Sequence, residues 1–125
     1  MKIKKASTTK TWATGAGHAA KTATFANLTG KLVEVGLQAS SVTGDPDVTV
    51  TVTDADSVTL FTSGAQNDGT NYRFDSESHK GTPDADFNPS YFVNETLTVS
   101  IDPSADAGGS NQTLTVTVDL YIQVD

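Results

Sequence analysis

Three short segments, Asp45-Pro46-Asp47, Asp54-Ala55-Asp56 and Asp84-Ala85-Asp86, each put two carboxylates one residue apart among turn-forming residues. Paired hard oxygen donors on loops suit Ca²⁺, but the ion takes roughly six to eight oxygens, so one pair suffices only if another loop contributes. Aspartate is also an ordinary turn residue, its side chain bonding nearby backbone N–H groups. The turn reading prevails, and no cofactor is expected. Were Ca²⁺ to bind, Asp45, Asp47, Asp54 and Asp56 would be the donors. These two pairs flank a single strand of six residues, which at about 3.3 Å per residue puts them at opposite ends of the fold and in separate sites.

Other chemistry is thinly supplied. There is no cysteine, which excludes a disulfide framework, a thiolate metal site and a thiol nucleophile. The two histidines, His18 in a small-residue loop and His79 in Ser76-Glu77-Ser78-His79-Lys80, lie in no nucleophile elbow and beside no oxyanion turn. No phosphate loop, dinucleotide fingerprint or zinc spacing occurs. The nine aromatics are scattered rather than gathered for a cleft, although Tyr72, Tyr91, Phe92 or Tyr121 could stack on a sugar. The chain is expected not to be an enzyme.

Charge is the more informative pattern. The formal net charge is −7, yet Lys2, Lys4, Lys5, Lys10, Lys21 and Lys31 fall in the first 31 residues with no acid among them. Residues 32–125 carry two basic and fifteen acidic side chains, a net of −13. Most of the molecule would repel phosphates, so nucleic acid is excluded as a partner. A basic segment on an acidic body points instead to an acidic protein surface, another copy of the chain included. No apolar run approaches the roughly 20 residues of a membrane span, so no membrane partner is expected. The opening Met1-Lys2-Ile3-Lys4-Lys5-Ala6-Ser7 lacks the apolar stretch of a secretory signal. The sequons at Asn27, Asn94 and Asn111 then read as by-products of a Thr-rich composition rather than glycan sites.

The elements that carry these residues are strands. Val48-Thr49-Val50-Thr51-Val52-Thr53 alternates with period two, and Leu114, Val116, Val118, Leu120, Ile122 and Val124 form one face of a longer run whose other face is Thr113, Thr115, Thr117, Asp119, Tyr121 and Gln123. Leu97, Val99 and Ile101 repeat the pattern, as do Val33, Val35 and Leu37. Residues 2–12, 21–26, 57–62 and 71–78 are weaker strand candidates. Turn-formers separate them at 43–46, 54–56, 64–69 and 102–110. About eight short strands and no helical periodicity predict a single all-β domain, an antiparallel β-sandwich of jelly-roll-like or Ig-like kind. At 125 residues the chain is long enough to bury about two-thirds of its unfolded surface.

Two stretches break the alternation. Residues 79–91, with two prolines, read as one long excursion suited to carrying contacts, with Tyr91 and Phe92 at its end as candidate partner residues. Residues 1–20 read as an irregular basic N-terminal arm or an edge strand with a flexible Gly/Ala link, leaving 21–125 as the sandwich. Lys2, Lys4, Lys5, Lys10 and Trp12 are its candidate partner-binding residues. Trp12 is the one tryptophan; it anchors the arm into its own core, the usual place for a large aromatic, or into a neighbour's groove.

The order of segments resembles small structural proteins of tailed bacteriophages. The resemblance is carried by Gly30-Lys31-Leu32-Val33-Glu34-Val35, Pro46-Asp47-Val48-Thr49-Val50-Thr51-Val52, Leu60-Phe61-Thr62, Asn71-Tyr72-Arg73-Phe74, and Glu95-Thr96-Leu97-Thr98-Val99-Ser100 followed by a Gly-rich turn and the run 114–125. It covers residues 20–125. That group usually has a proline beside its tyrosine-arginine pair, where this chain has Phe74 and Asp75. The resemblance implies a virion component made in the host cytoplasm, foremost a capsid decoration or cement protein that binds the major capsid protein from outside and associates with itself, trimers favoured. The alternatives are another phage part, such as a head-fibre base, neck or tail component, and a calcium-dependent carbohydrate-binding module.

Overall fold

The structure is a computed structural model and describes residues 2–75, 85–88 and 90–124. Eight strands follow one another: β1 (Ile3–Ala13), β2 (Lys21–Ala39), β3 (Asp47–Thr53), β4 (Thr59–Asn67), β5 (Thr70–Asp75), β6 (Asp86–Phe87), β7 (Tyr91–Pro103) and β8 (Thr113–Gln123). All pairings are antiparallel, in the order β1-β8-β2-β7-β3-β4-β6 with β5 on β2. The strand β2 makes two layers of this one network. Its first part, 21–31, pairs with β7, while its second part, 31–39, pairs with β8 on one side and β5 on the other. One layer is therefore β1-β8-β2-β5 and the other β2-β7-β3-β4-β6, each burying its apolar face, and there is no helix among the described residues. The predicted all-β sandwich is the observed fold.

The alternating runs behave as their period requires. Leu114, Val116, Val118, Leu120 and Ile122 of β8, Val48, Val50 and Val52 of β3, and Leu97, Val99 and Ile101 of β7 are all fully buried. The intervening Thr and Ser side chains face outward and are half-exposed. Burying each aliphatic side chain contributes about 1.5–3 kcal/mol. Phe61 holds the centre of the aromatic part of the core, its ring 5.2 Å from Phe74 and 4.8 Å from Phe87 between centroids.

Several expectations are corrected. The segments 21–26 and 33–37 are not separate strands but parts of the 19-residue β2, which bends where Asn27 (φ 60°) and Gly30 (φ 141°) interrupt its register with β7. A second bulge lies between Leu32 and Glu34 on the β8 side. It adds one residue to β2, so Leu32, Val35 and Leu37 point inward while Val33 remains half-exposed. The stretch 64–69 is not all turn: β4 runs on to Asn67 through a bulge at Gly64, and the buried Ser63 Oγ accepts the Val50 N–H at 2.8 Å there. The strand β7 likewise runs through Asp102 to Pro103. The three sequon asparagines share a cause that composition did not suggest: Asn27, Asn94 and Asn111 all adopt left-handed backbone, with φ 60°, 51° and 54°, a conformation asparagine tolerates better than most residues.

Of residues 1–20, read above as an arm or an edge strand, residues 3–13 form the edge strand β1, paired with β8 along its whole length from Ile3↔Gln123 to Ala13↔Thr113. Thr9 and Thr117 share a hydroxyl hydrogen bond of 2.9 Å across that pair, and the Ser7 hydroxyl donates to Asp119 Oδ1 at 2.6 Å. Of residues 79–91, positions 79–84 and 89 fall outside the described residues, His79 and Asp84 among them.

Candidate interaction surface

Edge position and charge coincide on β1, which ends the strand order. The Val124 N–H donates to the Lys2 carbonyl at 3.0 Å and the Thr14 N–H to the Gln112 carbonyl at 2.9 Å, so the even-numbered residues make the bonds to β8. The odd-numbered residues then turn their N–H and C=O groups away from the sheet. Two contacts agree: the Thr11 carbonyl accepts a hydrogen bond from the Lys21 ammonium, and the Ala13 carbonyl accepts the Ala16 N–H at 3.0 Å. Among the described residues the outward backbone at Ile3, Lys5, Ser7 and Thr9 has no partner within the sheet.

Lysines stand on both faces of this edge. Through their pairing with Ile122 and Val116, Lys4 and Lys10 lie on the same face as the core, yet Lys4 is exposed and Lys10 half-exposed because β1 overhangs the opposite layer. Among the described residues neither forms an ion pair. Lys5 is on the outer face, 3.8 Å from Asp119 Oδ2 and 5.9 Å from the Tyr121 ring centroid. An exposed ion pair of this kind is worth ~1 kcal/mol or less. Lys2 is exposed just before the strand. Inward-pointing and edge lysines are a standard way to keep an open edge from pairing indiscriminately.

Of the two places read for Trp12 the structure shows its own core, and Phe92 is buried there too. The Trp12 ring is 3% exposed within this chain's own core, its indole N–H donating to the Ala19 carbonyl at 2.8 Å and the Lys21 ammonium lying 5.0 Å from its centroid. Phe92 is 7% exposed and equally unavailable, whereas Tyr91 beside it is 60% exposed. The register links Tyr91 to the lysine edge: Ile3 pairs with Gln123, Gln123 with Lys31, and Lys31 with Tyr91. Ile3 is also exposed, so this row carries apolar as well as basic groups. Sequence reasoning missed Ile3 and Lys31 as members because their adjacency exists only across strands.

Tyr121 is not a free sugar platform. Arg73 covers its ring at 4.8 Å and pairs with Glu34 Oε2 at 2.8 Å, and the Glu34 carboxylate, ahead of the Tyr121 contribution, strengthens the guanidinium's hold on its proton. Tyr72 stacks on Phe74 at 5.8 Å.

The Gly/Ala link after β1 is held by Asp106, another residue the sequence did not mark. Its carboxylate accepts the Gly108 N–H at 2.8 Å, the Gly15 N–H at 3.0 Å and the Gly17 N–H at 3.2 Å. These backbone donors, Gly108 foremost, hold its pKa below the ordinary 3.8 despite some burial. Because the folded value is the lower one, the contribution to stability is complete above the unfolded value and is lost as pH falls through the depressed folded value. Asp106→Asn is expected to speed amide exchange at Gly15 and Gly17 at neutral pH while leaving Val118 unchanged, and in the parent the protection of these two amides relative to their intrinsic exchange is expected to fall as pH drops through the depressed folded value. Equal exchange in the variant and the parent would contradict this role.

The calcium candidates stay apart. Asp54 Oδ1 accepts the N–H groups of Asp56 and Val58, both at 2.9 Å, so it closes its own turn at one end of β3. At the other end Asp45 lies beside Asp68. Its pKa is raised first by a hydrogen bond with Asp68, then by the charges of Asp68 and Asp47. Asp68 in turn accepts the Val42 N–H at 2.8 Å. Among the described residues no three His, Cys, Asp or Glu side chains gather as a metal site. His18 is exposed, with Nδ1 3.1 Å from the Pro103 carbonyl.

No family model matches this chain, and no curated protein matches it. Among solved structures, a chain in the structure of infectious bursal disease virus, Gt strain, is similar over 99% of the present chain at 12% identity, with a TM-score of 0.39. The present chain spans 38% of that one. A likeness so distant carries no argument about function.

Proposed function

We propose that this protein is a non-enzymatic structural component of a virion, and within that class a capsid decoration or cement protein that seats on the outside of a tailed phage's major capsid lattice, as a homo-oligomer with trimers favoured. The observation that carries the reading is β1: an open sheet edge with Lys2, Lys4, Lys5 and Lys10 beside it, on a body whose remaining charge is strongly negative. A rigid, Thr-covered sandwich with one adhesive basic edge suits a protein that adds to a surface and does no chemistry.

Deleting β1 would test this poorly, since Trp12 belongs to the core. The informative variant replaces Lys2, Lys4, Lys5 and Lys10 together by glutamine, which keeps the strand and removes its charge. Occupancy on purified particles at low salt is expected to fall about tenfold or more, with melting temperature nearly unchanged, because exposed charges govern association far more than fold stability. Undiminished occupancy would overturn the reading. Cryo-electron microscopy of decorated particles then distinguishes a capsid position from a neck or tail position.

A further inference from the structure

We propose that the open edge of β1 between Ile3 and Thr9 is a strand-addition site whose occupant is an acidic, extended segment of another protein. The inference deepens the function proposed above and rests on it only for which particle presents that segment.

Four residues, Ile3, Lys5, Ser7 and Thr9, direct backbone N–H and C=O groups outward over about 20 Å of strand, enough for about seven residues of an added strand. The site has a built end. Beyond Thr9 the next outward carbonyl, that of Thr11, is already taken by the Lys21 ammonium, and the following one, that of Ala13, is taken by Ala16. An added strand therefore stops short of Thr11.

The side chains specify what can be added. Lys4 and Lys10 would flank the incoming strand on its inner face and Lys5 on its outer face. Acidic residues at alternate positions on both faces of that strand would meet these lysines, since opposite charges across a strand pair stabilise and like charges directly opposite destabilise. The same argument disfavours a second copy of β1. An antiparallel pair of copies centred on Ser7 sets Lys4 of each against Lys10 of the other. The inner face beside β1 has room for a partner, because Ala6, Thr8 and Lys10 remain half-exposed where the opposite layer does not reach.

Proline at position 7 tests the backbone part directly. The Ser7 N–H points outward, so Ser7→Pro removes a donor from the free edge without removing a β1–β8 bond, and proline is tolerated on edge strands in that orientation. The Ser7→Ala variant controls for the hydroxyl given to Asp119, and Thr9→Pro serves as the second variant should Ser7→Pro fold poorly. The probes are two synthetic seven-residue peptides, one with Glu on both faces of the extended strand among Thr and Val, and the same peptide with Lys for Glu, followed by fluorescence anisotropy on the full chain. The acidic peptide is expected to bind the parent and Ser7→Ala alike, to lose about tenfold in affinity for Ser7→Pro, and to weaken further with salt. The Lys peptide is expected not to bind. Strand addition is overturned if Ser7→Pro binds as well as the parent, if neither peptide binds or both bind equally, or if the chain forms a dimer that Ser7→Pro abolishes. The two proposals separate cleanly. Particles that keep full Ser7→Pro occupancy but reject the four-lysine variant leave the decoration reading standing without strand addition, whereas the expected peptide pattern with no particle binding leaves strand addition standing without decoration.

Discussion

Val50→Asp is expected to leave no folded protein at 25 °C. Val50 is fully buried at the middle of β3, paired with Ile101 of β7 and flanked on the β4 side by the bulge at Ser63. The substitution removes roughly 2 kcal/mol of apolar burial and strands a carboxylate where no cation can reach it, an effective cost of several kcal/mol more. A domain of ordinary stability has about 5–15 kcal/mol to lose. The measurement is far-UV circular dichroism together with emission from Trp12, which as the sole tryptophan is 3% exposed and should shift to the red on unfolding. Thr51→Lys, one residue along on the outer face, is expected to change stability by no more than about 0.5 kcal/mol. A native-like spectrum for Val50→Asp would mean that the inner face of β3 has been misassigned.

Gly30→Ala has the next largest expected effect. Gly30 lies where β2 leaves one layer for the other, with φ at 141°, and a β-carbon there would stand 2.0 Å from the Gln123 carbonyl oxygen and 2.9 Å from Ile122 Cγ2. Both the strained conformation and the backbone collision penalise any side chain, the first alone by about 1–3 kcal/mol. A loss of about 3 kcal/mol or more, read as a fall in melting temperature of roughly 10 °C, is expected. Gly15→Ala also meets a positive φ, of 82°, but nothing within 4 Å, so its cost should stay near 1 kcal/mol. Equal melting of the two variants would remove the special role of the bend.

The parts of the fold legible in the sequence are those where period two runs unbroken: β3, β8 and the 97–101 part of β7 were readable to the correct face. What was not legible has one cause in each instance. The bulge at Val33 conceals the inward set of β2, since one extra residue inverts the alternation and makes Leu32 rather than Val33 a core residue. The union of 21–26 with 33–37 was hidden by Asn27 and Gly30, which read as a break and are in fact a bend. The charge of the β1 edge was fully visible, but its orientation was not, because which lysine faces inward depends on the pairing of Lys4 with Ile122 and Lys10 with Val116. Asp106 was invisible for a similar reason: its donors Gly15 and Gly17 lie about ninety residues away in sequence.

The pairing of β1 with β8 bears on how the protein is made. Every bond that holds β1 in the sheet comes from a strand synthesised about a hundred residues later, roughly 5–20 s at ordinary elongation rates. Until then β1 has two open sides rather than one, and Trp12 has no finished core to enter. Its lysines thus act first as solubilisers of a nascent strand. Closure of the layer waits for β8 to emerge, which makes this a slow, non-local folding step.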